Sequence, residues 1–303
     1  MATRIFMTGI TGYIGGQALA TLIAKHPEHT IVGLVQTEEK KQQILARHPS
    51  LEVIIGDLDS DQILIEESKK ADIVIKGTYL HLSGAGSVFD HSLGYGKFPP
   101  KIWDDIEDLT AITTFKQPVF HAKADRLVLD LGKKLKIRTA ILEPPMVYGN
   151  SDSLSDRSIS LPLLVDIAKA RGTMFQVGEA TQCISAVHVK DLADVFAYFV
   201  DEALKDEEGS RVEWGEKGVY YVEAREYVFA DVVDAVAKEM HNRGGLETAG
   251  VAVLTEAEAL EVHPWALVVF ATNMRTRASI LRALGWVPKQ PGLIETVSGL
   301  FKR

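Results

Sequence analysis

Residues 4–16 read RIFMTGITGYIGG, an apolar strand pattern that leads through closely spaced glycines into a helix pattern. Gly9, Gly12 and Gly15 are spaced three apart, where the commonest dinucleotide fingerprint reads G-x-G-x-x-G. Glycine allows a sharp turn, lets the backbone approach a pyrophosphate and lets the helix pack closely on the strand. The helix N-terminus then offers free N–H groups and partial positive charge to phosphates. The stretch favours a dinucleotide site over a turn that is only structural.

The following residues repeat the alternation of strand and helix. Apolar strand patterns cover residues 30–35 and 51–58, and each precedes a charged helix pattern, over 38–48 and 61–70. Continuous apolar strands between amphipathic helices predict a parallel sheet covered on both faces. We therefore predict an α/β fold with a doubly wound parallel sheet (Rossmann fold), which places ligands at the carboxyl ends of its strands.

A smaller C-terminal substrate domain is predicted to follow the sheet. Residues 1–149 and 182–204 are assigned to the NAD(P)-binding domain, and residues 150–181 and 205–303 to the smaller domain. Three tryptophans in the second part could contact an apolar substrate, although core packing is expected for at least two of them: Trp214, Trp265 and Trp286.

The composition narrows the class of protein. The chain has 303 residues and a net charge of −8, which argues against a nucleic-acid surface. The single cysteine, Cys183, rules out an internal disulfide framework and suits a reducing compartment. The N-terminus has no signal-peptide pattern and no apolar run is long enough to span a membrane, so we expect a cytoplasmic protein without a membrane partner. The nine histidines are scattered and HExxH is absent, so no metal site is predicted.

The end of the second predicted strand indicates which dinucleotide binds. About 20 residues past the glycines an acidic residue would hold the ribose 2′-OH of NAD, but the chain has Gln36 and Thr37 there. An uncharged position does not repel a 2′-phosphate, and Lys40 or Lys41 could reach it. The sequence favours NADP and leaves NAD open, since both lysines also suit a solvated helix.

Several further motifs occur in a fixed order along the chain. They are TGITGYIGG (8–16), GDLD (56–59), ADIVIK (71–76), LSGAG (82–86), ILEPPMVYGN (141–150) and VHVKDLAD (187–194). As an ordered set they resemble the extended and atypical branches of the short-chain dehydrogenase/reductase superfamily, including NAD-dependent epimerase/dehydratases and NmrA-like proteins. The resemblance covers about the first two thirds of the chain, and LRALGWVP (281–288) is similar to the small substrate domain of that branch.

The resemblance implies a set of cofactor contacts. The three glycines would hold the pyrophosphate with the backbone N–H groups of Tyr13 and Ile14, and Gln36 would lie beside the adenosine ribose. Asp57 would accept from the adenine amino group and Leu58 would pack on the ring, although Asp57 also suits a helix cap. The nicotinamide end would be lined by Pro144, Pro145 and Val147.

The catalytic positions match the family pattern only in part. Ser83 matches the family's catalytic Ser/Thr, and Lys123 matches the lysine of Tyr-x-x-x-Lys, which binds the nicotinamide ribose. The alternative for Lys123 is that its side chain only snorkels from a helix face. Val119 stands where the tyrosine belongs and has no proton to give. Other candidates for the proton donor are His121, Tyr148 and His188. His121 could serve only if the helix begins late, which Pro118 allows.

A second departure from the family pattern lies between two predicted strands, residues 71–76 and 78–83, which only Gly77 separates. Parallel neighbours need a crossover of a dozen or more residues. A deletion with a rearranged sheet, a gene-model or splicing loss, and a segment absent from the sequence would each explain the shortness, and we favour the last two.

Two hypotheses for function follow. The first is an atypical NADP-dependent reductase, epimerase or dehydratase that acts on a small organic substrate without the usual tyrosine. The second is a non-catalytic, NmrA-like regulator that senses a dinucleotide. Ser83 and Lys123 favour the enzyme, and Val119 favours the regulator. We expect a small-molecule substrate, and we leave a homodimer open.

Overall fold

The computed structural model describes residues 3–73, 78–115, 120–206 and 208–301, which form short strands and helices in alternation. The strands are β1 (Arg4–Met7), β2 (Thr30–Val35), β3 (Glu52–Ile55), β4 (Thr78–Leu82), β5 (Trp103–Asp104), β6 (Arg138–Glu143), β7 (Met146–Tyr148), β8 (Met174–Val177), β9 (Cys183–His188), β10 (Val219–Tyr221), β11 (Arg225–Val228), β12 (Val251–Leu254) and β13 (Thr276–Arg277).

The helices connect these strands and cover their faces. They are α1 (Tyr13–Lys25), α2 (Glu38–Arg47), α3 (Asp61–Lys70), α4 (Leu109–Thr113), α5 (Ala122–Leu135), α6 (Ser160–Arg171), α7 (Val189–Ala203), α8 (Phe229–Asn242), α9 (Glu256–Val262), α10 (Ala266–Phe270) and α11 (Ser279–Ala283), with 3-10 turns at Ala85–Val88, Gly215–Lys217 and Ile294–Phe301.

The central sheet is parallel throughout. On one side β3, β2 and β1 pair in that order, and on the other side β4, β6 and β10 pair in that order. Ile73 lies between the two halves, since it forms parallel bridges with Ile5 of β1 and with Thr78 of β4. This arrangement confirms the predicted doubly wound α/β fold, with the carboxyl ends of all these strands at one edge.

The short junction keeps a parallel arrangement. Ile73 and Thr78 lie side by side with the same chain direction. These two residues therefore belong neither to one continuous strand nor to the two arms of an antiparallel turn, which are the two forms that a rearranged sheet could take here. Residues 74–77 lie outside the described residues, so the continuity of the backbone over 76–79 stays untested. Strand neighbours this close in sequence fit the hypothesis that a crossover segment has been lost.

The side chains of successive residues in β1 lie on opposite faces of the sheet. Ile5 packs with α1, α2 and α7, where Leu19, Ile44 and Val200 are buried in the same cluster. Phe6 packs on the opposite face with Val32 and Leu34, against Ile63 and Leu64 of α3. The apolar strands of the sequence are therefore covered on both sides, as continuous apolar runs require.

The remaining strands pair with one another outside the central sheet. β9 pairs with β7 in parallel and with β11 in antiparallel register, while β8 pairs with β12 and β5 with β13. The stretch 205–303, assigned to the smaller domain, also supplies β10 to the central sheet beside β6. The boundary at residue 204 therefore does not hold for Val219–Tyr221, and the other domain bounds stay a prediction. None of the described helices is both long and apolar enough to cross a membrane.

Candidate functional site

The glycine-rich turn has the geometry of a phosphate loop. Gly9 has a φ of +71° and accepts a hydrogen bond from the N–H of Gly12 at 3.0 Å, which closes the turn between β1 and α1. A Cβ on Gly15 would lie 2.3 Å from the carbonyl oxygen of Gly9, so this position admits no side chain. α1 begins at Tyr13, and its first N–H groups point out of the helix beside Gly12.

A loop from the other half of the chain braces this turn. The hydroxyl of Tyr13 donates to the carbonyl oxygen of Gly149 at 2.7 Å, and Ser151 Oγ donates to the carbonyl oxygen of Tyr13 at 2.9 Å. The Ile14 side chain packs against the main core. The turn is therefore held in place from both sides, as a backbone that receives a ligand should be.

Gln36 and Lys40 stand together at the end of β2. Gln36 is exposed, and Lys40 Nζ donates to its Oε1 at 3.0 Å. Thr37 caps α2 by accepting from the N–H of Lys40 at 3.2 Å, which fixes this turn of the helix. A cationic amine thus lies beside Gln36, the residue that the resemblance places next to the adenosine ribose.

Asp57 and Leu58 follow β3 in a tight turn. One oxygen of Asp57 accepts from the N–H of Asp59 at 3.1 Å and from Ser60 Oγ at 2.7 Å. Leu58 is 71% exposed, so its side chain is available to a ring that stacks on it. Asp57 therefore stabilises the turn before α3, which is the structural alternative that the sequence left open. The contact of Asp57 with adenine stays a prediction.

The loop after β4 is tied to the loop after β6. The N–H of Ser83 donates to the carbonyl oxygen of Leu142 at 2.9 Å, and the N–H of Ala85 donates to that of Pro144 at 3.0 Å. Pro144 and Pro145 are buried and Val147 is half-buried. Ser83 and the proline segment therefore meet at the carboxyl edge of the sheet, where the resemblance places the nicotinamide.

The helix that carries Lys123 begins late. α5 starts at Ala122, and His121 precedes it with a φ of +67°. The condition under which His121 could serve as a proton donor is therefore met. Lys123 is exposed, and Val119, Pro118 and the rest of 116–119 lie outside the described residues, so the predicted facing of Val119 and Lys123 stays untested.

Two glycines allow the segment before α5 to approach Ser83. A Cβ on Gly84 would lie 3.1 Å from Nε2 of His121, and a Cβ on Gly86 would lie 3.1 Å from Cβ of Phe120. The His121 ring therefore covers the backbone next to Ser83. The structure brings Ser83 and His121 together, which their separation in sequence does not reveal.

Asp125 is a site residue that the sequence reasoning missed. Its side chain is buried, and neither carboxylate oxygen has a hydrogen-bond partner among the described residues. His81 Nε2 lies 3.6 Å from Asp125 Oδ1. Burial raises the pKa of Asp125, while the Ser83 hydroxyl and the two histidines, His81 and His121, act in the opposite direction. The buried Ser83 hydroxyl also lacks a partner of standard geometry in the described chain.

Glu143 lies behind Asp125 at the end of β6. It is 2% exposed, and Ser87 Oγ donates to its Oε2 at 3.4 Å. Burial, assisted by the negative charge of Asp125, raises the pKa of Glu143 to about 8. A small cavity beside both carboxyl groups is lined by Phe115, Leu129 and Val219 among others. Ser83, Asp125 and Glu143 thus form a buried row of hydroxyl and carboxyl groups that begins at the edge of the sheet.

The raised pKa of Glu143 predicts a pH dependence of stability. The unfolded state releases this proton near pH 4.5 and the folded state near pH 8, so the folded state binds more protons between these values and the free energy of unfolding falls as pH rises through this window. Asp105, whose pKa burial raises to about 7, adds to the same slope.

We expect Glu143→Gln to flatten this decline in the free energy of unfolding, measured by urea unfolding at about pH 5 and pH 8. The exposed Glu247→Gln is the control, and an unchanged slope in Glu143→Gln would contradict a neutral buried Glu143.

Two other candidates for the proton donor have structural partners. Tyr148 is 2% exposed and its hydroxyl donates to the carbonyl oxygen of Pro291 at 2.9 Å. His188 Nδ1 accepts from the N–H of Lys190 at 3.1 Å and caps α7. Burial raises the pKa of Tyr148 and lowers that of His188. Both side chains hold loops together, so the geometry favours Ser83, Asp125 and His121 over them.

Aromatic side chains form a rim beside this row. Phe120 and Trp265 are 47% and 52% exposed, and their ring centroids are 6.4 Å apart. Phe89 meets Phe120 edge to face at 5.7 Å. Trp214 and Trp286 pack against the core instead. Core packing of two tryptophans agrees with the expectation, and Trp265 remains the one placed beside the site.

Comparisons with known proteins agree with the architecture. No known family profile matches the chain. The chain is 28% identical to the oxidase ucsJ of an Acremonium species over 340 aligned positions, covering 100% of this chain and 98% of that protein. It is 24% identical to an uncharacterised protein of Saccharomyces cerevisiae, covering 97% of each. The 340 positions exceed the 303 residues of this chain, so the Acremonium relative contains residues without a counterpart here.

Solved structures share the fold at low identity. A dTDP-glucose 4,6-dehydratase of Bacillus anthracis in complex with NAD matches with a TM-score of 0.63 and 15% identity, covering 98% of this chain and 96% of that one. The enzyme WbmH of Bordetella bronchiseptica in complex with NAD⁺ matches with the same TM-score, identity and coverage. A UDP-glucose 4-epimerase of Thermotoga maritima matches with a TM-score of 0.54 and 14% identity, covering 97% and 96%. The chain therefore has the Rossmann fold of these dehydratases and epimerases, and the resemblance is confirmed at the level of the fold.

Proposed function

We propose that this chain is a dinucleotide-dependent oxidoreductase of the reductase, epimerase or dehydratase type, which prefers NADP and acts on a small organic substrate. The observation that carries the proposal is the placement of the glycine turn after β1, and of Ser83 with Asp125 and His121 after β4, at the carboxyl edge of one parallel Rossmann sheet. Support also comes from the Acremonium relative, which is named an oxidase.

The residues present fit a bound dinucleotide. Gly12 and Gly15 leave the backbone at the start of α1 uncovered, and the first N–H groups of α1 suit a pyrophosphate. Leu58 is exposed for the adenine ring, and Lys40 lies beside Gln36 at the ribose position. A bound nicotinamide dinucleotide would donate a hydride to a carbonyl carbon or accept one from a carbinol carbon.

The buried row supplies the proton that Val119 cannot give. The Ser83 hydroxyl donates its proton to the oxygen of the substrate, and the Asp125 carboxyl replaces that proton on Ser83 Oγ. Because burial raises the pKa of Asp125, this carboxyl retains its proton to higher pH than an exposed aspartate does. His81 and His121 flank Asp125 and return a proton to it from the solvent side.

The aromatic rim favours a substrate with an apolar or planar face. Phe120 and Trp265 expose rings beside the Ser83 loop, and such rings bind apolar groups well. We therefore place hydrophobic carbonyl compounds ahead of nucleotide sugars as substrates.

A single-turnover screen tests the function. The full chain is mixed with NADPH and a panel of carbonyl compounds that contains aromatic and aliphatic ketones and nucleotide sugars, and products are detected by mass. We expect reduction of an apolar member that requires the protein. If NADPH binds with no turnover on any compound, the non-catalytic regulator favoured by Val119 becomes the better account.

Cofactor selectivity gives a separate prediction. We expect wild-type protein to bind NADPH more tightly than NADH, because Lys40 attracts the 2′-phosphate and Gln36 does not repel it. Gln36→Asp should reverse this order, since the new carboxylate repels the phosphate and accepts the 2′-OH of NADH. Calorimetry with both cofactors measures the change, with the exposed Gln43→Asp on α2 as a matched control. A wild-type chain that binds NADH at least as tightly contradicts the preference.

A further inference from the structure

The turn between α1 and β2 reads HPEH, residues 26–29, and its geometry brings two histidines together. Proline suits the second position of a β-turn, and the N–H of His29 donates to the carbonyl oxygen of His26 at 3.1 Å. His26 also ends α1 through an N–H bond to Leu22. The two imidazole rings therefore stack, with centroids 5.3 Å apart and planes inclined by 10°.

Three potential donor atoms converge at this turn. His26 Nδ1 lies 3.6 Å from Oε1 of Glu28, and His29 Nε2 lies 3.8 Å from the same oxygen. One donor atom from each residue lies within 4.8 Å of the other two. Ligands of a tetrahedral zinc ion stand roughly 3.4 Å apart, given bonds of about 2.0–2.2 Å. Small side-chain rotations would therefore close the set around one ion.

His29 is buried without partners for its ring. Its side chain is 5% exposed, and neither Nδ1 nor Nε2 has a hydrogen-bond partner in the part of the chain that the structure describes. A buried polar group without a partner costs about 1–3 kcal/mol, so such groups in folded proteins usually have a ligand or water. A cation on Nε2 would satisfy one of the two nitrogens.

Asp201 lies behind His26. Its Oδ1 is 3.2 Å from Nε2 of His26, and it belongs to α7. Metal-binding histidines commonly present their second nitrogen to a carboxylate, which leaves the first nitrogen unprotonated for the metal. The carboxylates of Glu28 and Asp201 and the C-terminal end of α1 all favour positive charge at this point.

We propose that His26, Glu28 and His29 bind one divalent transition-metal ion, with Asp201 as the positioning residue for His26. Two imidazoles and one carboxylate suit zinc, cobalt, nickel or copper and do not suit magnesium or calcium. The turn precedes β2 and so lies at the amino edge of the sheet, opposite Ser83. The ion therefore links the α1–β2 turn to α7 and has a structural role that is independent of the proposed oxidoreductase site.

Metal binding is tested on the full chain after chelator treatment and dialysis. Calorimetric titration with Zn²⁺ should show one saturable site, and Co²⁺ should give the visible absorption of a low-coordinate nitrogen and oxygen site, whereas Mg²⁺ should give no heat. Asp201→Asn should weaken Zn²⁺ binding by about 10–100-fold. His26→Ala and His29→Ala should each weaken it by at least as much.

His48→Ala is the matched control, because His48 also ends a helix and precedes a proline. It should leave Zn²⁺ affinity unchanged. Circular dichroism and thermal unfolding report that each variant folds. Glu28→Gln changes the exposed ligand without disturbing the turn and should also weaken Zn²⁺ binding. The proposal is overturned by absence of saturable Zn²⁺ binding, or by equal losses in His48→Ala and His29→Ala.

Discussion

Asp125→Asn is expected to lower the single-turnover rate of carbonyl reduction by about 10²–10⁴-fold, the range for loss of a general acid. The amide keeps the size of the carboxyl but has no acidic proton to pass to Ser83. Ser83→Ala should cause a loss of similar size, and the double variant should be little worse than either single one, since both act in one relay. NADPH affinity should stay unchanged in all three variants.

The pH profile separates a proton relay from a packing role. In the wild type the rate should fall as pH rises through the raised pKa of Asp125, because the acid form is the donor, and this fall should vanish in Asp125→Asn. Asp130→Asn, an exposed change on the same helix, is the control. Full activity of Asp125→Asn would exclude Asp125 as the proton source and leave His121 as the remaining candidate.

Gly12→Val is expected to remove dinucleotide binding from a protein that still folds. Gly12 has a φ of −82°, which any residue can adopt, and a Cβ there would stand 3.3 Å from the Gly9 carbonyl oxygen. The branched side chain would cover the N–H groups that a pyrophosphate needs. Loss of two hydrogen bonds to a charged group, at about 1.5–3 kcal/mol each, corresponds to a rise in Kd of ~100-fold or more.

Calorimetry with NADPH and thermal unfolding together measure the effect of Gly12→Val. Gly250→Val, an exposed loop glycine without a positive φ, is the matched control and should bind normally. Gly15→Val is unsuitable because its Cβ would overlap the Gly9 backbone and disturb the fold itself. Normal affinity in a folded Gly12→Val would show that the glycine turn is not a phosphate loop.

Regular elements near the N-terminus could be predicted closely because their signals are local. The pattern over 30–35 became β2 with the same bounds, and the pattern over 61–70 became α3 with the same bounds. Apolar period and helix-forming residues act within a few positions of one another. The pairing of β10 with β6 was missed, since it joins residues about 80 apart and no short pattern encodes such a contact.

The candidate site likewise contains a part that the sequence predicts and a part that it does not. The glycine turn could be predicted because its residues are close together in sequence, whereas the sequence around Asp125 and Glu143 is typical of an ordinary helix and an ordinary strand. Asp125 and Glu143 become candidates only because both are buried near Ser83, and this burial results from the packing of α5 against β6. The HPEH turn matches no established metal-ligand spacing, and the fourth participant in the proposed metal site, Asp201, comes from a distant helix.

The packing of α7 across the central sheet has a consequence for how the protein opens. Ala197 and Val200 of α7 share a buried cluster with Ile5 of β1, and Leu80 of β4 packs against the same cluster. One helix therefore buries apolar side chains from both halves of the sheet. Because opening either half would expose part of this shared cluster, we expect the amide hydrogens of β1, β4 and α7 to exchange as one cooperative unit.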